Sequence, residues 1–456
     1  MTRSSLELEH GSKRYPLSFT QEWFCSLDQG DNGGAFGARF ILVCPIRITG
    51  AVDVAVLQGA LDDVVVRHEL LRTLVVRDAD PPYQLVRPPC PVPLEVRDLP
   101  PAPGKSRDMV AQELILEAQD GTMSPREVPL LRAELCRFDD TDSVLFLTVH
   151  HSVSDAWSVQ LILRDLGAFY AARSSGDPAK LPPVRQYREY SEWQRATAAS
   201  PAEDGAPKYW TETLRGAREY TVPTDRPHPE SYTRQYSMHA YQIDADVVAA
   251  THALASATRS SLFMITLAAC YVLGHQITGD TDLTIRALTA GRNEVQFQET
   301  MGLFINLVPF RTDLSECASF RDIVLRTKDT CIDAFAHELP VNVIEQLIPE
   351  FIQSREEERA AQFLISDFQS QFGDLTLPIA EGAREIHERL LQEPEHPDIP
   401  SGMVWNLDLI PSGLLSCGVL YNLDEFDDST AAAWAGDYRR ILTNGVQEPD
   451  RDWKEL

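Results

Sequence analysis

The stretch that most restricts what this chain can fold into is LRAELCRFDDTDSVLFLTVHHSVSDAWS, residues 131–158. Two apolar runs, Leu131–Phe138 and Ser143–His150, flank the polar turn DDTD and predict an antiparallel hairpin. Ser154 or Asp155 then stands where an N-cap belongs, ahead of a helix expected over Trp157–Tyr170. Two adjacent histidines, His150 and His151, therefore sit where a strand ends and a helix begins.

The same punctuation recurs along the chain. Arg39–Ile48 reads as a strand, and Asp53 as the cap of a helix whose apolar stripe runs Leu57, Leu61, Val64, Val65 to His68. The Pro-rich, acidic stretch 78–104 reads as an exposed connection, and RSSGDPAKLPP, 173–183, as a linker. Beyond it come a helix at 187–198, the loop SPAEDGAP, strand Ser237–Ile243, and helices at 246–257 and 261–274. Strand Asp282–Leu288, a helix at 318–336, strands Gln362–Phe368 and Leu414–Tyr421, and a last helix at 429–442 follow. The expected class is α/β (α+β) with antiparallel hairpins in two lobes, residues 1–175 and 187–456, joined by 176–186.

Length and composition agree with two cores: 456 residues, 43% of them hydrophobic and 8% aromatic. Against 41 Lys and Arg stand 68 Asp and Glu, a net charge of −27, which opposes binding to nucleic acid or an anionic membrane. The N-terminus has no apolar signal-peptide core, and the apolar run Leu262–Leu273 is too short to span a bilayer. Eight cysteines lie far apart with no CxxC pair, as suits buried thiols in a reducing cytoplasm.

Three readings of the histidine pair are open. Both residues can be satisfied core histidines. Metal binding is disfavoured, because adjacent strand residues point to opposite faces and no HExxH or further Cys/His cluster stands nearby. Catalysis gains from that alternation, since one imidazole can face a crevice while the other packs inward, and a histidine titrates near neutrality. Asp155, four residues on, can orient the imidazole or anchor the loop through an arginine, and the helix that follows offers free N–H groups to an oxyanion. No GxSxG elbow, P-loop, GxGxxG or kinase signature is present. GDNGGAFG, 30–37, precedes a strand and reads as a turn, not a phosphate cradle.

HHSVSDAWS resembles the HHxxxDG motif of the condensation domains of nonribosomal peptide synthetases, a superfamily of acyltransferases. More of that family's motifs follow in order: LSFTQEWF (17–24), RHELLRT (67–73), then after the histidines YREYSEW (187–193), MGLFINLVPFR (301–311) and, weakly, HELPVNVI (337–344). A seventh is not recognisable in 355–369. The resemblance implies two chloramphenicol-acetyltransferase-like lobes forming a V-shaped pseudo-dimer, with the active site in the tunnel between them. Carried over by position, His151 is the catalytic histidine, His150 its packed neighbour, and Asp155 a structural anchor. Its arginine partner is expected to be Arg311, with Arg292 and Arg72 as alternatives. Ala156, Trp157, Ser158 and Asn306 become substrate-tunnel candidates, with Asn306 equally able to satisfy buried backbone. Arg67, His68 and Glu69 are expected to hold a helix end, and Tyr187 and Trp193 to join the lobes. Ala156 departs from the family's glycine.

The resemblance further implies a donor acyl or aminoacyl group on the phosphopantetheine arm of a peptidyl carrier protein, and no bound metal or cofactor. With no adenylation segment and no carrier-type Gly-Gly-x-Ser site after the last helix, the chain is expected to act free-standing. It would then serve a diffusible small-molecule acceptor, as in enediyne and other antibiotic pathways, with an ester or amide as product. The rivals are a coenzyme A-dependent acyltransferase of the same fold and a non-catalytic docking domain.

Overall fold

A computed structural model describes residues 13–31, 33–199, 205–233, 235–351, 360–369, 375–387 and 402–456. The chain divides into two α/β units. The first comprises Met1–Ser200 with two returning segments, Gly291–Phe304 and Gln371–Glu393, and the second takes the remainder.

In the first unit the expected hairpin forms, as Leu131–Asp139 paired antiparallel with Asp142–His150. It lies inside a five-stranded sheet ordered Gly382–Glu385, Ile41–Thr49, Asp142–His150, Leu131–Asp139, Leu94–Asp98. The last strand alone runs parallel to its neighbour. The run SVLFLTV is apolar on both faces because both faces are covered. Leu145, Leu147 and Val149 pack with Leu57, Leu61 and Val64 of the Val54–Arg67 helix and Ile162 and Leu166 of the Ala156–Ser175 helix. Val144 and Phe146 meet Leu114 and Ile115 of the Arg107–Gln119 helix on the other face. Asp53 caps its helix as expected, accepting from the N–H groups of Ala55 (2.9 Å) and Val56 (3.0 Å).

The second unit is built on a sheet ordered Asn306–Asp313, Asp282–Thr289, Ala360–Gln369, Met403–Leu409, Leu415–Asn422, Tyr236–Ile243, with Thr221–Pro223 pairing the start of Ala360–Gln369. Its core surrounds the apolar helix Leu262–Thr278, whose residues from Ile265 to Leu273 are fully buried. Among the described residues no single helix is long and apolar enough to cross a membrane.

Four expectations change. The stretch 78–104 carries strands Tyr83–Val86 and Leu94–Asp98 rather than a bare connection. Strands Asn306–Asp313 and Met403–Leu409 and the helix Arg107–Gln119 are additional. Asn306–Asp313 hides its strand character behind Pro309, which it tolerates as the end strand of its sheet. The cut between units falls after Ser200, not at 176–186, because Tyr187 and Tyr190 of the Tyr187–Ala199 helix are buried with Phe297, Met301 and Phe304 in the first unit's core. SPAEDGAP and the acidic residues before FLISDFQ fall largely outside the described residues.

Candidate active site

The strand ends between the two histidines, and they differ in burial. His150, the last residue of its strand, is completely buried. Its Nδ1 accepts from the Ser152 N–H at 3.2 Å, so Nε2 carries the proton and donates to the Gly37 carbonyl at 3.1 Å. That carbonyl belongs to the GDNGGAFG loop, whose part here is to hold His150. Burial drives the His150 pKa down to about 4, so the ring stays neutral with both nitrogens committed. His150→Ala should take one of two donors from the Gly37 carbonyl, which keeps the Phe40 N–H, leave the Ser152 N–H without its ring acceptor and open a void, costing about 2–4 kcal/mol. Denaturation should register that loss, while the rate per folded molecule changes less than the stability; a reversed ranking would make His150 the chemical residue.

His151 opens a single 3-10 turn, His151–Val153. Its Nδ1 lies 2.7 Å from the Ser154 carbonyl, an acceptor only, so the proton sits on Nδ1. Nε2 is thereby left with a lone pair and no hydrogen-bond partner among the described residues. The imidazole is partly buried and stacks on Phe40, with ring centroids 4.6 Å apart and planes 9° apart. Burial lowers its pKa below the ordinary value, against a smaller upward pull from Ser154 and Asp155. A neutral imidazole with one nitrogen anchored and the other free is suited to accept a proton.

Asp155 caps the Ala156–Ser175 helix and does more. Its carboxylate, 3% exposed, accepts from the Ser158 N–H at 2.8 Å, the Phe304 N–H at 3.1 Å and Arg292 Nη2 at 3.1 Å. The arginine partner is therefore Arg292, buried with it. Arg292 also donates to the Thr300 carbonyl (2.6 Å) and the Ser158 hydroxyl (2.9 Å), and its guanidinium lies over the Phe304 ring at 4.0 Å. Burial works against its charge, and the Asp155 carboxylate favours it.

The expected pairing with Arg311 does not form. Arg311 belongs to the second unit, past the point where the chain leaves the first at Phe304. It holds Asp282 in a fork and donates to the Thr213 and Arg215 carbonyls. Arg72 is spent on the carbonyls of Val65 and Arg87.

Two of the tunnel candidates turn inward. Ser158 is fully buried, receives N–H groups from Arg292 and Gly302 (both 2.9 Å), and locks the 291–304 segment to the helix. Asn306 donates to Glu338 and the Leu339 carbonyl and accepts from the Val341 N–H at 2.9 Å, which is the structural alternative. Ala156 is exposed at the first helical position with ordinary backbone, so the departure from glycine costs no strain. Trp157 is partly exposed and donates to the Gln298 carbonyl at 3.1 Å.

The helix-holding role of RHELLRT is as expected: Arg67 (2.6 Å) and His68 (2.9 Å) converge on buried Asp165 of the Ala156–Ser175 helix. Glu69 bonds Arg188 at 2.9 Å. Tyr187 donates to the Leu303 carbonyl at 2.6 Å within the first unit. Sequence reasoning missed Gly291 and gave Gly302 no role beyond its place in MGLFINLVPFR. Gly291 has φ +58° and a Cβ there would stand 1.9 Å from the Phe304 carbonyl oxygen; one on Gly302 would stand 2.0 Å from the Tyr187 ring. The signal available was a glycine directly before Arg292, just past a strand end.

The family model for the condensation domain matches residues 12–456, and the chain belongs to that family. It is 31% identical over 449 residues to chondramide synthase of Chondromyces crocatus, covering 95% of this chain and 11% of that one. To the dimodular nonribosomal peptide synthase of Bacillus subtilis it is 29% identical over 470 residues, covering 98% of this chain and 19% of that one. The chain thus spans about a fifth or less of the length of these relatives. Among solved structures, SgcC5 of Streptomyces globisporus, in complex with (R)-(-)-1-(2-naphthyl)-1,2-ethanediol and sucrose, is 38% identical with a TM-score of 0.89, covering 96% of this chain and 100% of that one. The X-domain from teicoplanin biosynthesis, 24% identical with a TM-score of 0.77 over 97% of each chain, shares the fold. The two α/β units are the acetyltransferase-like lobes of this family.

Proposed function

We propose that this condensation-domain protein transfers an acyl or aminoacyl group from the phosphopantetheine thioester of a peptidyl carrier protein to a hydroxyl or amine of a small-molecule acceptor, in antibiotic-type biosynthesis in the cytoplasm. The observation that carries the reading is the state of His151, with Nδ1–H bonded to Ser154 and the Nε2 lone pair unengaged. Nε2 takes the proton from the attacking hydroxyl or amine as oxygen or nitrogen adds to the carbonyl, and returns it to the departing thiol. A thioester is already activated, so holding the two substrates together supplies much of the acceleration. The base adds about 10²–10⁴-fold. Asp155 and Arg292 hold the turn that carries His151, and the exposure of Ala156 and partial exposure of Trp157 support these two as the residues of the motif that line a substrate.

The ester is formed at least as readily as the amide. SgcC5 was solved with a diol, which supports a hydroxylated acceptor, whereas the peptide synthase relative supports the amine. A neutral amine attacks a thioester unaided and sheds its proton late, while a hydroxyl needs its proton removed as the bond forms, and a fixed neutral imidazole serves that need. Matched alcohol and amine analogues of one scaffold, offered with the same loaded carrier, should give a kcat/KM for the alcohol equal to or above that for the amine. Amide alone, with no ester above the carrier-only background, would return the enzyme to peptide-bond chemistry.

A further inference from the structure

The LSFTQEWF segment has no part in the site described so far, yet its aromatic end reaches the base through one side chain. Ser18 starts the Phe19–Ser26 helix with a capping box and lies 2.8 Å, hydroxyl to hydroxyl, from Tyr187. That fixes the helix which carries Trp23 and buried Phe24, whose rings meet edge-on at 5.5 Å. Phe24 packs on Phe40 with centroids 5.9 Å apart, and Phe40 lies parallel to the His151 imidazole at 4.6 Å. The backbone ties the same two residues, since the His151 N–H donates to the Phe40 carbonyl at 2.8 Å.

We propose that Phe40 is a positioning residue for His151, and that the aromatic end of LSFTQEWF acts through it. An imidazole has two soft torsions. The hydrogen bond from Nδ1 to Ser154 pins one edge of the ring but leaves it free to rock about that contact. A parallel aromatic face removes the rocking, because any tilt loses contact area with Phe40. The edge farthest from the pinned one carries Nε2, so fixing the plane fixes the direction of its lone pair. A misplacement of about 1 Å at a reacting atom can cost about 10²-fold in rate.

The inference rests on His151 acting as the base, and the test separates the two. Steady-state kinetics with an aminoacyl-loaded peptidyl carrier protein and an alcohol acceptor, normalised to folded protein, would compare Phe40→Leu, Phe40→Met, Phe40→Tyr and His151→Ala. Phe40→Leu and Phe40→Met should lower kcat by about 10-fold to 100-fold with KM within about threefold of wild type. Phe40→Tyr, which keeps the ring face, should restore kcat to within about threefold, a rescue that filling space alone would not give. The methionine variant keeps nearly the volume of the ring and guards against failure of the leucine variant to fold. Full kcat in Phe40→Met beside an inactive His151→Ala would overturn the positioning role and leave the base intact. Full activity in His151→Ala would overturn both.

Discussion

Replacing His151 with alanine is expected to lower turnover by about 10²-fold or more while the fold survives. The residue lies just past the end of a strand and is only partly buried, and among the described residues the one hydrogen bond its ring makes is to the Ser154 carbonyl. Its removal therefore takes away chemistry more than packing. The loss should appear in kcat, since positioning of the two substrates persists without the base. The wild-type pH profile carries the same information. A base must start neutral, so base catalysis by His151 predicts that activity is lost as pH falls through its pKa. Burial lowers that pKa, so the acidic limb should lie below pH 6.5, the ordinary value. Turnover in His151→Ala within a few-fold of wild type, or an acidic limb well above neutrality, would rule out base catalysis by this residue.

The second large effect is on stability. Asp155→Ala and Arg292→Ala should each destabilise the protein by roughly 3–5 kcal/mol, because each leaves a buried charge without its partner. Asp155→Ala also uncaps the helix and strands the Phe304 N–H. Arg311→Ala should cost much less. Its pair with Asp282 is substantially exposed, at 25% and 45% for the two side chains, and exposed pairs contribute about 0–1 kcal/mol. Chemical denaturation of the three variants, with the double variant Asp155→Ala/Arg292→Ala closing a cycle, measures the coupling directly. A well-folded but inactive Asp155→Ala protein would assign the carboxylate a direct role in the reaction. Parity between Arg311→Ala and Arg292→Ala would contradict the pairing seen in the structure.

The contrast between those two arginines marks where sequence stops being informative. The hairpin and the Asp53 and Asp155 caps follow from short-range rules of alternation and capping. The partner of Asp155 obeys no such rule, since Arg292 lies 137 positions away and nothing local to either residue refers to the other. Position within a motif pointed to Arg311, but the chain crosses from one unit to the other between Phe304 and Ile305, inside MGLFINLVPFR. Motif order carries the family and not the contact. The same holds for Ser158 and Asn306, whose neighbours in sequence suggest a substrate wall. Their hydroxyl and amide are consumed by Gly302, Arg292, Glu338 and Val341, all distant in the chain. Where glycines stand, sequence marks a bend without saying what presses against it. At Gly291 and Gly302 that is the Phe304 carbonyl and the Tyr187 ring.

The central claim joins donor, acceptor and base in one event, and intact-mass measurement follows that event on the carrier itself. An aminoacyl-loaded peptidyl carrier protein is incubated with an alcohol acceptor and either wild-type enzyme or His151→Ala, and the acyl mass on the carrier is recorded over time. The expected result is loss of acyl mass with wild-type enzyme, only when acceptor is present and matched by ester, with the His151→Ala reaction slower by about 10²-fold or more. Loss at equal rates with the two proteins, or loss that does not depend on the acceptor, would contradict it.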